Sequence, residues 1–131
     1  MTTSSYPTKY RYTKEHEWSE LISATQIRVG ITDHAQSALG DIVFLELPKI
    51  GRDLKSNETF GVVESIKAVS DLYSPVNGKV LQTNSDLASD PSRINQKPHE
   101  EWMIVLESTD AKLQYDGLMS ADDYSNYVKS L

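Results

Sequence analysis

Gly61-Val62-Val63-Glu64-Ser65-Ile66-Lys67-Ala68-Val69-Ser70-Asp71 is the stretch on which the reading of this fold turns. The β-branched residues Val62, Val63, Ile66 and Val69 favour a pleated, half-buried surface over a helix, so two short strands meet near Lys67. Pro75-Val76-Asn77-Gly78 then supplies turn residues, which keeps both arms short. Lys67 falls near the middle of this up-and-down unit, and Ser65 and Ala68 are small enough to leave its stem clear. A lysine stem is long and flexible and carries its amine at the end, which suits covalent attachment of a swinging group. The plainer role for any one of the nine lysines is to keep a hairpin tip solvated, and only the surrounding string lifts Lys67 above it.

Outward from this hairpin, the chain reads mainly as short strands. Ile27, Val29 and Ile31 alternate, as do Val43, Leu45 and Leu47, while Val80-Leu81 and Met103-Ile104-Val105-Leu106 are short apolar runs. Many short strands with frequent turns predict a mainly β sandwich or flattened barrel. Pro48-Lys49-Ile50-Gly51 and Pro75-Val76-Asn77-Gly78 repeat one turn pattern, a weak echo of paired halves. Thr32 is placed to cap a helix over Asp33 to Leu39, with Gly40 just past its end. Ser120 followed by Asp123 resembles a capping box, and Tyr124, Tyr127, Val128 and Leu131 then share one helical face. One more short helix is expected over Asp110 to Asp116, stopped by Gly117.

Size and composition bound the function. A chain of 131 residues is one domain, expected over residues 10–131 behind a loose Ser/Thr/Pro tail at residues 1–9. A net charge of −6 and a pI near 5.0 argue against nucleic acid, whose binding needs clustered cations. With no apolar run of about 18 residues and no secretory or transit signature, the expected setting is the cytoplasm and not a membrane. For a processed organelle protein the alternative is the mitochondrial matrix. There are no cysteines, so any dithiol chemistry would have to come from a prosthetic group.

Several strings together resemble the H-protein family of the glycine cleavage system. They are Tyr12-Thr13-Lys14-Glu15-His16-Glu17-Trp18, Gly30-Ile31-Thr32-Asp33-His34-Ala35-Gln36 and Leu39-Gly40-Asp41-Ile42-Val43-Phe44-Leu45-Glu46-Leu47-Pro48. Glu64-Ser65-Ile66-Lys67, Ser74-Pro75-Val76-Asn77-Gly78, Asn84-Ser85 with Leu87, Ile94-Asn95 and Trp102-Met103 follow in the same order. The resemblance implies a lipoyl/biotinyl-type fold, a monomer, and lipoate in amide linkage to Lys67. It implies a carrier and not an enzyme. The carrier takes an aminomethyl group from the pyridoxal-phosphate glycine decarboxylase to a folate-dependent aminomethyltransferase, after which dihydrolipoyl dehydrogenase reoxidises the arm. A lipoate attachment enzyme is a further implied partner. The loaded arm ends in an amine that water would destroy if left exposed, so it is expected to fold back onto carboxylates through charge-assisted hydrogen bonds. Glu17 and Asp71 are the first candidates and Glu64 the next, each weighed against a solvated surface role. Pro98-His99-Glu100-Glu101-Trp102 lacks the glycine usual before that tryptophan, and residues 88–98 also depart from the family pattern.

Rival readings stand beside this one. Biotin carriers show Met-Lys-Met at the tip and oxoacid-dehydrogenase lipoyl domains show Asp-Lys-Ala, where this chain has Ile66-Lys67-Ala68. A lipoyl relay, or an interaction module with Lys67 unmodified, remains as the alternative. Glu15-His16-Glu17 is a poor metal site, because on a strand both acids would point away from His16. Trp18 and Trp102 read as core or half-buried anchors, and His34 as a hydrogen-bonded surface residue of the first helix. No glycine pattern fits a nucleotide loop, and no nucleophile, base and orienting group form a catalytic set.

Overall fold

The structure is a computed structural model, which describes residues 6–131. In chain order the elements are β1 (Tyr10–Tyr12), β2 (Glu17–Ser23), β3 (Gln26–Ile31), α1 (Asp33–Leu39), β4 (Ile42–Glu46), β5 (Asp53–Leu54) and β6 (Thr59–Ser65). Then come β7 (Val69–Tyr73), β8 (Gly78–Thr83), α2 (Ser85–Ser89), α3 (Arg93–Gln96), β9 (Ile104–Glu107), α4 (Ala111–Asp116) and α5 (Ala121–Lys129). The strands form two antiparallel sheets, ordered β1-β2-β3-β9-β8-β5 and β4-β6-β7. They do not close into a barrel; the architecture is the flattened sandwich among the expected forms.

Both sheets feed one core. Ile27, Val29 and Ile31 of β3, Val80 of β8, and Ile104 and Leu106 of β9 meet Ile42, Leu45, Phe60, Val63 and Leu72 of the smaller sheet. β9 lies between β3 and β8 and is buried from Ile104 to Leu106, which accounts for its unbroken apolar run. The two Pro-x-x-Gly turns lie side by side, since the Gly51 N–H donates to the Val80 carbonyl and Asp53 pairs with Lys79.

A second cluster ties the chain ends together. Tyr10 stacks on Trp18 with ring centroids 4.4 Å apart, and Tyr12 stacks on Tyr124 of α5 at 4.8 Å. Residues 1–5 of the expected tail lie outside the described residues. Its inner part is packed: the Tyr6 ring meets Tyr12 and Tyr124 edge-on, and the Pro7 carbonyl accepts from the Tyr12 hydroxyl.

The three expected helices are present, with Thr32 accepting from the Ala35 N–H and Ser120 from the Asp123 N–H. Three details differ from the sequence reading. A register shift between Ile42 and Phe44 breaks the alternation in β4, so Val43 is exposed while Leu45 is buried and Leu47 lies beyond the strand. Leu131 lies past the end of α5 and is exposed, so the packed face of the helix consists of Ala121, Tyr124, Tyr127 and Val128. His16 is not on a strand: its φ is +72°, and β2 begins one residue later.

Candidate functional site

Lys67 is the middle residue of the three-residue tip between β6 and β7, and it is exposed. The tip is wound around one side chain. Ser65 Oγ accepts the N–H groups of Lys67 and Ala68 at 3.2 and 3.1 Å, while the Ser65 N–H donates to the Ala68 carbonyl at 2.8 Å. The Ile66 N–H donates to the Asp41 carbonyl at 3.0 Å, pinning the turn to the segment that links α1 and β4. A short turn with this many backbone bonds presents the amine from a rigid base.

The lysine stem also has a seat. Gly40 ends α1 with φ +83°, and a Cβ there would stand 3.1 Å from Lys67 Cε. The stem therefore crosses the bare backbone of Gly40. Next to it is a cleft of about 210 Å³ lined by Ala35, Ala38 and Leu39 of α1, by Ser70 of β7, and by Glu15, His16 and His34. One wall is apolar and the other titratable. The His16 and His34 rings are 4.5 Å apart, and His16 Nδ1 shares a hydrogen bond with the Tyr124 hydroxyl at 2.8 Å. Burial, with His34 beside it, lowers the pKa of His16 below the usual imidazole range.

The three carboxylates named from the sequence do not form one cluster. Glu17 is 2% exposed; its Oε1 accepts from the Thr13 hydroxyl at 2.7 Å and its Oε2 from the Tyr73 N–H at 3.3 Å. Burial pushes its carboxyl up to about 8. It sits beside the free edge of β7 and links the two sheets. Glu64 and Asp71 do come together. Glu64 pairs with Val69 and Asp71 with Val62, so they are diagonal neighbours on the outer face of the smaller sheet. Strand alternation puts Asp71 on the opposite face from the cleft residue Ser70.

His99, which carried no message in the sequence, accepts the Asp33 N–H through Nε2 at 3.1 Å. The glycine-free loop before Trp102 is anchored by the Trp18 indole donating to the Pro98 carbonyl and the Tyr10 hydroxyl donating to the His99 carbonyl. Among the described residues no group of three or more potential metal ligands occurs. Sequence reasoning missed the cleft residues Glu15 and His34, because helix α1 and the turn before β2 meet only through the tertiary fold. Ser65 left a local trace: a serine two and three residues before the N–H groups it accepts is a recurring turn motif.

A flattened β sandwich whose hairpin tip offers one exposed lysine beside a small cleft has the architecture of the lipoyl/biotinyl class. The glycine cleavage H-protein family model matches residues 10–131. The glycine cleavage system H protein of Bacillus licheniformis is 49% identical over 126 residues, covering 95% of this chain and 98% of that protein. The one from Koribacter versatilis is 50% identical over 124 residues, covering 95% and 94%. The crystal structure of a glycine cleavage system H protein from Mycobacterium marinum superposes with a TM-score of 0.86 at 33% identity, covering 95% and 99%. The chain belongs to the glycine cleavage H-protein family, whose members are lipoyl-carrying components of that system and not catalysts themselves.

Proposed function

We propose that Lys67 carries lipoate in amide linkage, and that the arm shuttles the aminomethyl group from the pyridoxal-phosphate glycine decarboxylase to the folate-dependent aminomethyltransferase. Dihydrolipoyl dehydrogenase then restores the disulfide, and a lipoate attachment enzyme installs the arm in the first place. The observation that carries this reading is the presentation of Lys67: exposed, at a tip braced by Ser65 Oγ and the Asp41 carbonyl, in a chain of this family. In this reading residues 10–131 act as one carrier domain, a monomer in the cytoplasm. No helix among the described residues is long and apolar enough to cross a membrane.

The residues present suit such a group. Among the described residues no ion pair engages Lys67, so its amine is available to form an amide. When bound, lipoate supplies the dithiol that this cysteine-free chain lacks. The chain's own residues give reach and shelter. The apolar wall of Ala35, Ala38 and Leu39 suits an alkyl arm, and Glu15 is the carboxylate lining the cleft. A primary amine attached to the carbon next to sulfur expels thiolate only when its lone pair is free, so holding it as an ammonium protects it. A carboxylate does this through a charge-assisted hydrogen bond. Glu15 thus serves an arm seated in the cleft, and Asp71 with Glu64 an arm laid over the outer face of the hairpin, while the buried carboxyl of Glu17 acts by holding the edge of β7 beside the cleft.

Glycine–bicarbonate exchange reconstituted with the decarboxylase tests the carrier role. The lipoylated chain should support exchange, and Lys67→Arg should abolish it and also lack the added lipoyl mass. Attachment removes one positive charge, taking the formal net from −6 to −7, which native electrophoresis would display. For shelter, Glu15→Gln should hasten hydrolysis of the isolated loaded protein several-fold if the arm seats in the cleft, and Asp71→Asn if it lies over the outer face. Unchanged hydrolysis in both would remove the carboxylates from the account.

A further inference from the structure

The platform under Lys67 is held from a distance by one side chain. Asn95, on the four-residue helix α3, donates from Nδ2 to the Gly40 carbonyl at 2.9 Å and to Gln36 Oε1 at 2.8 Å. Its Oδ1 accepts the Ile42 N–H at 2.8 Å. Residues 40 and 42 are thereby clamped to α3, and residue 41 between them offers its carbonyl to the Ile66 N–H in the attachment tip. Gly40 is also the surface over which the lysine stem passes. The adjacent Ile94 is fully buried, so the clamp is rooted in the core. Three consecutive residues thus transmit the position of α3 to the tip.

We propose that Asn95 is a positioning residue for lipoyl attachment: through Gly40, Asp41 and Ile42 it sets where the Lys67 amine stands when the attaching enzyme engages the hairpin. This rests on the reading of Lys67 as the lipoyl anchor. The step concerned is attack of the Lys67 amine on the carbonyl carbon of a lipoyl adenylate. The new N–C bond replaces the acyl–phosphate C–O bond, AMP departs, and the amine's proton passes to base or solvent. Such a step needs near-attack geometry, and a misplacement of about 1 Å can cost up to about a hundredfold. The outer face of the tip, with Ile66 and Val69 exposed, is not touched by Asn95, so docking of the hairpin and placement of its amine are separable.

The test is transfer from synthetic lipoyl adenylate to the full-length apo chain by a lipoate ligase, at 25 °C, with thermal unfolding followed in parallel. Asn95→Ala, which removes all three bonds, should lower kcat about tenfold with KM within about twofold. Asn95→Asp, which keeps the acceptor but sets a carboxylate against the Gly40 carbonyl, should do the same. Val29→Ala, a core change away from the tip, supplies a variant of lowered Tm that should transfer at the wild-type rate. Wild-type kcat in both Asn95 variants would overturn the proposal, as would an equal loss in Val29→Ala, which would make the effect one of general stability. If the wild-type chain took no lipoyl group, the carrier reading itself would fall and take this inference with it. If the wild type is modified and the Asn95 variants keep pace, this inference alone is wrong.

Discussion

Glu17 shows what a single residue does when it is drawn into the interior. Its carboxyl, at about 8, holds its proton well above the usual range because burial disfavours the charge more than Thr13 and the Tyr73 N–H favour it. The folded state therefore binds more protons than the unfolded one between the ordinary glutamate value, 4.5, and about 8. The contribution of Glu17 to stability therefore falls as pH rises through that window and levels off above it, opposite in sign to that of the half-buried imidazoles of His16 and His99. Glu17→Gln can make the same contacts without ionising, its Oε1 accepting from Tyr73 and its Nε2 donating to Thr13 Oγ. Urea unfolding from pH 5 to pH 9 should show a flatter profile for Glu17→Gln, with the variant gaining on the wild type by a few kcal/mol at the alkaline end. Parallel profiles would mean that Glu17 ionises normally. The Glu-His-Glu string makes this residue visible in the sequence as something out of the ordinary, but not as a buried acid. Its burial comes from the tertiary fold, which sets its carboxyl against the Tyr73 N–H, 56 positions away.

At the scale of elements, the attachment hairpin depends on close approach as much as on its apolar residues. A Cβ on Gly61 would stand 2.2 Å from the Glu46 carbonyl oxygen where β6 runs against β4, at the residue where the register of β6 with β7 shifts. Gly61→Ala would force the two backbones apart and is expected to destabilise the fold by about 2–3 kcal/mol, in the range of an overpacked interior. Hydrogen exchange should quicken along β4 and β6 first, and protection equal to wild type in both strands would refute the close-approach account. The helix α5 relies on local chemistry. Ser120→Ala removes the acceptor for the Asp123 N–H and should cost ~1 kcal/mol, a Tm loss of about 4 °C for a chain of this size. A change under 1 °C would show that the cap is redundant. The β6–β7 hairpin and the helices α1, α4 and α5 are all legible beforehand, because alternation, caps and glycine stops are written within a few residues of each other. The short helices α2 and α3 escape notice, being four or five residues long and held by Leu87 and Ile94 in the core.

Across the whole molecule, the C-terminal helix closes a seam that the sandwich leaves open. Tyr124 is fully buried against Tyr12, and Tyr127 and Val128 pack beside it. Burying one large side chain is worth ~1.5–3 kcal/mol, so deletion of residues 121–131 should remove several kcal/mol. The truncated chain should melt at least about 10 °C lower and bind an apolar dye at the exposed Tyr10, Tyr12 and Trp18, and an unchanged melting curve would place the seam outside the stability of the fold. The sequence by itself determined the mainly β class, the hairpin carrying Lys67, the caps of the longer helices and, through its colinear strings, the family, since these are carried by short-range patterns and residue identity. Only the tertiary structure decided the rest. It packed the two sheets into an open sandwich, buried Glu17, set Glu64 and Asp71 on the outer face away from the cleft, and brought Glu15, His16 and His34 together beside the tip. The bonds from Asn95 to Gly40 and Ile42 span more than 50 positions. The physical reason is common to all of these: a contact between distant segments depends on how both sheets and the helices between them share one core, and no local stretch of residues encodes that.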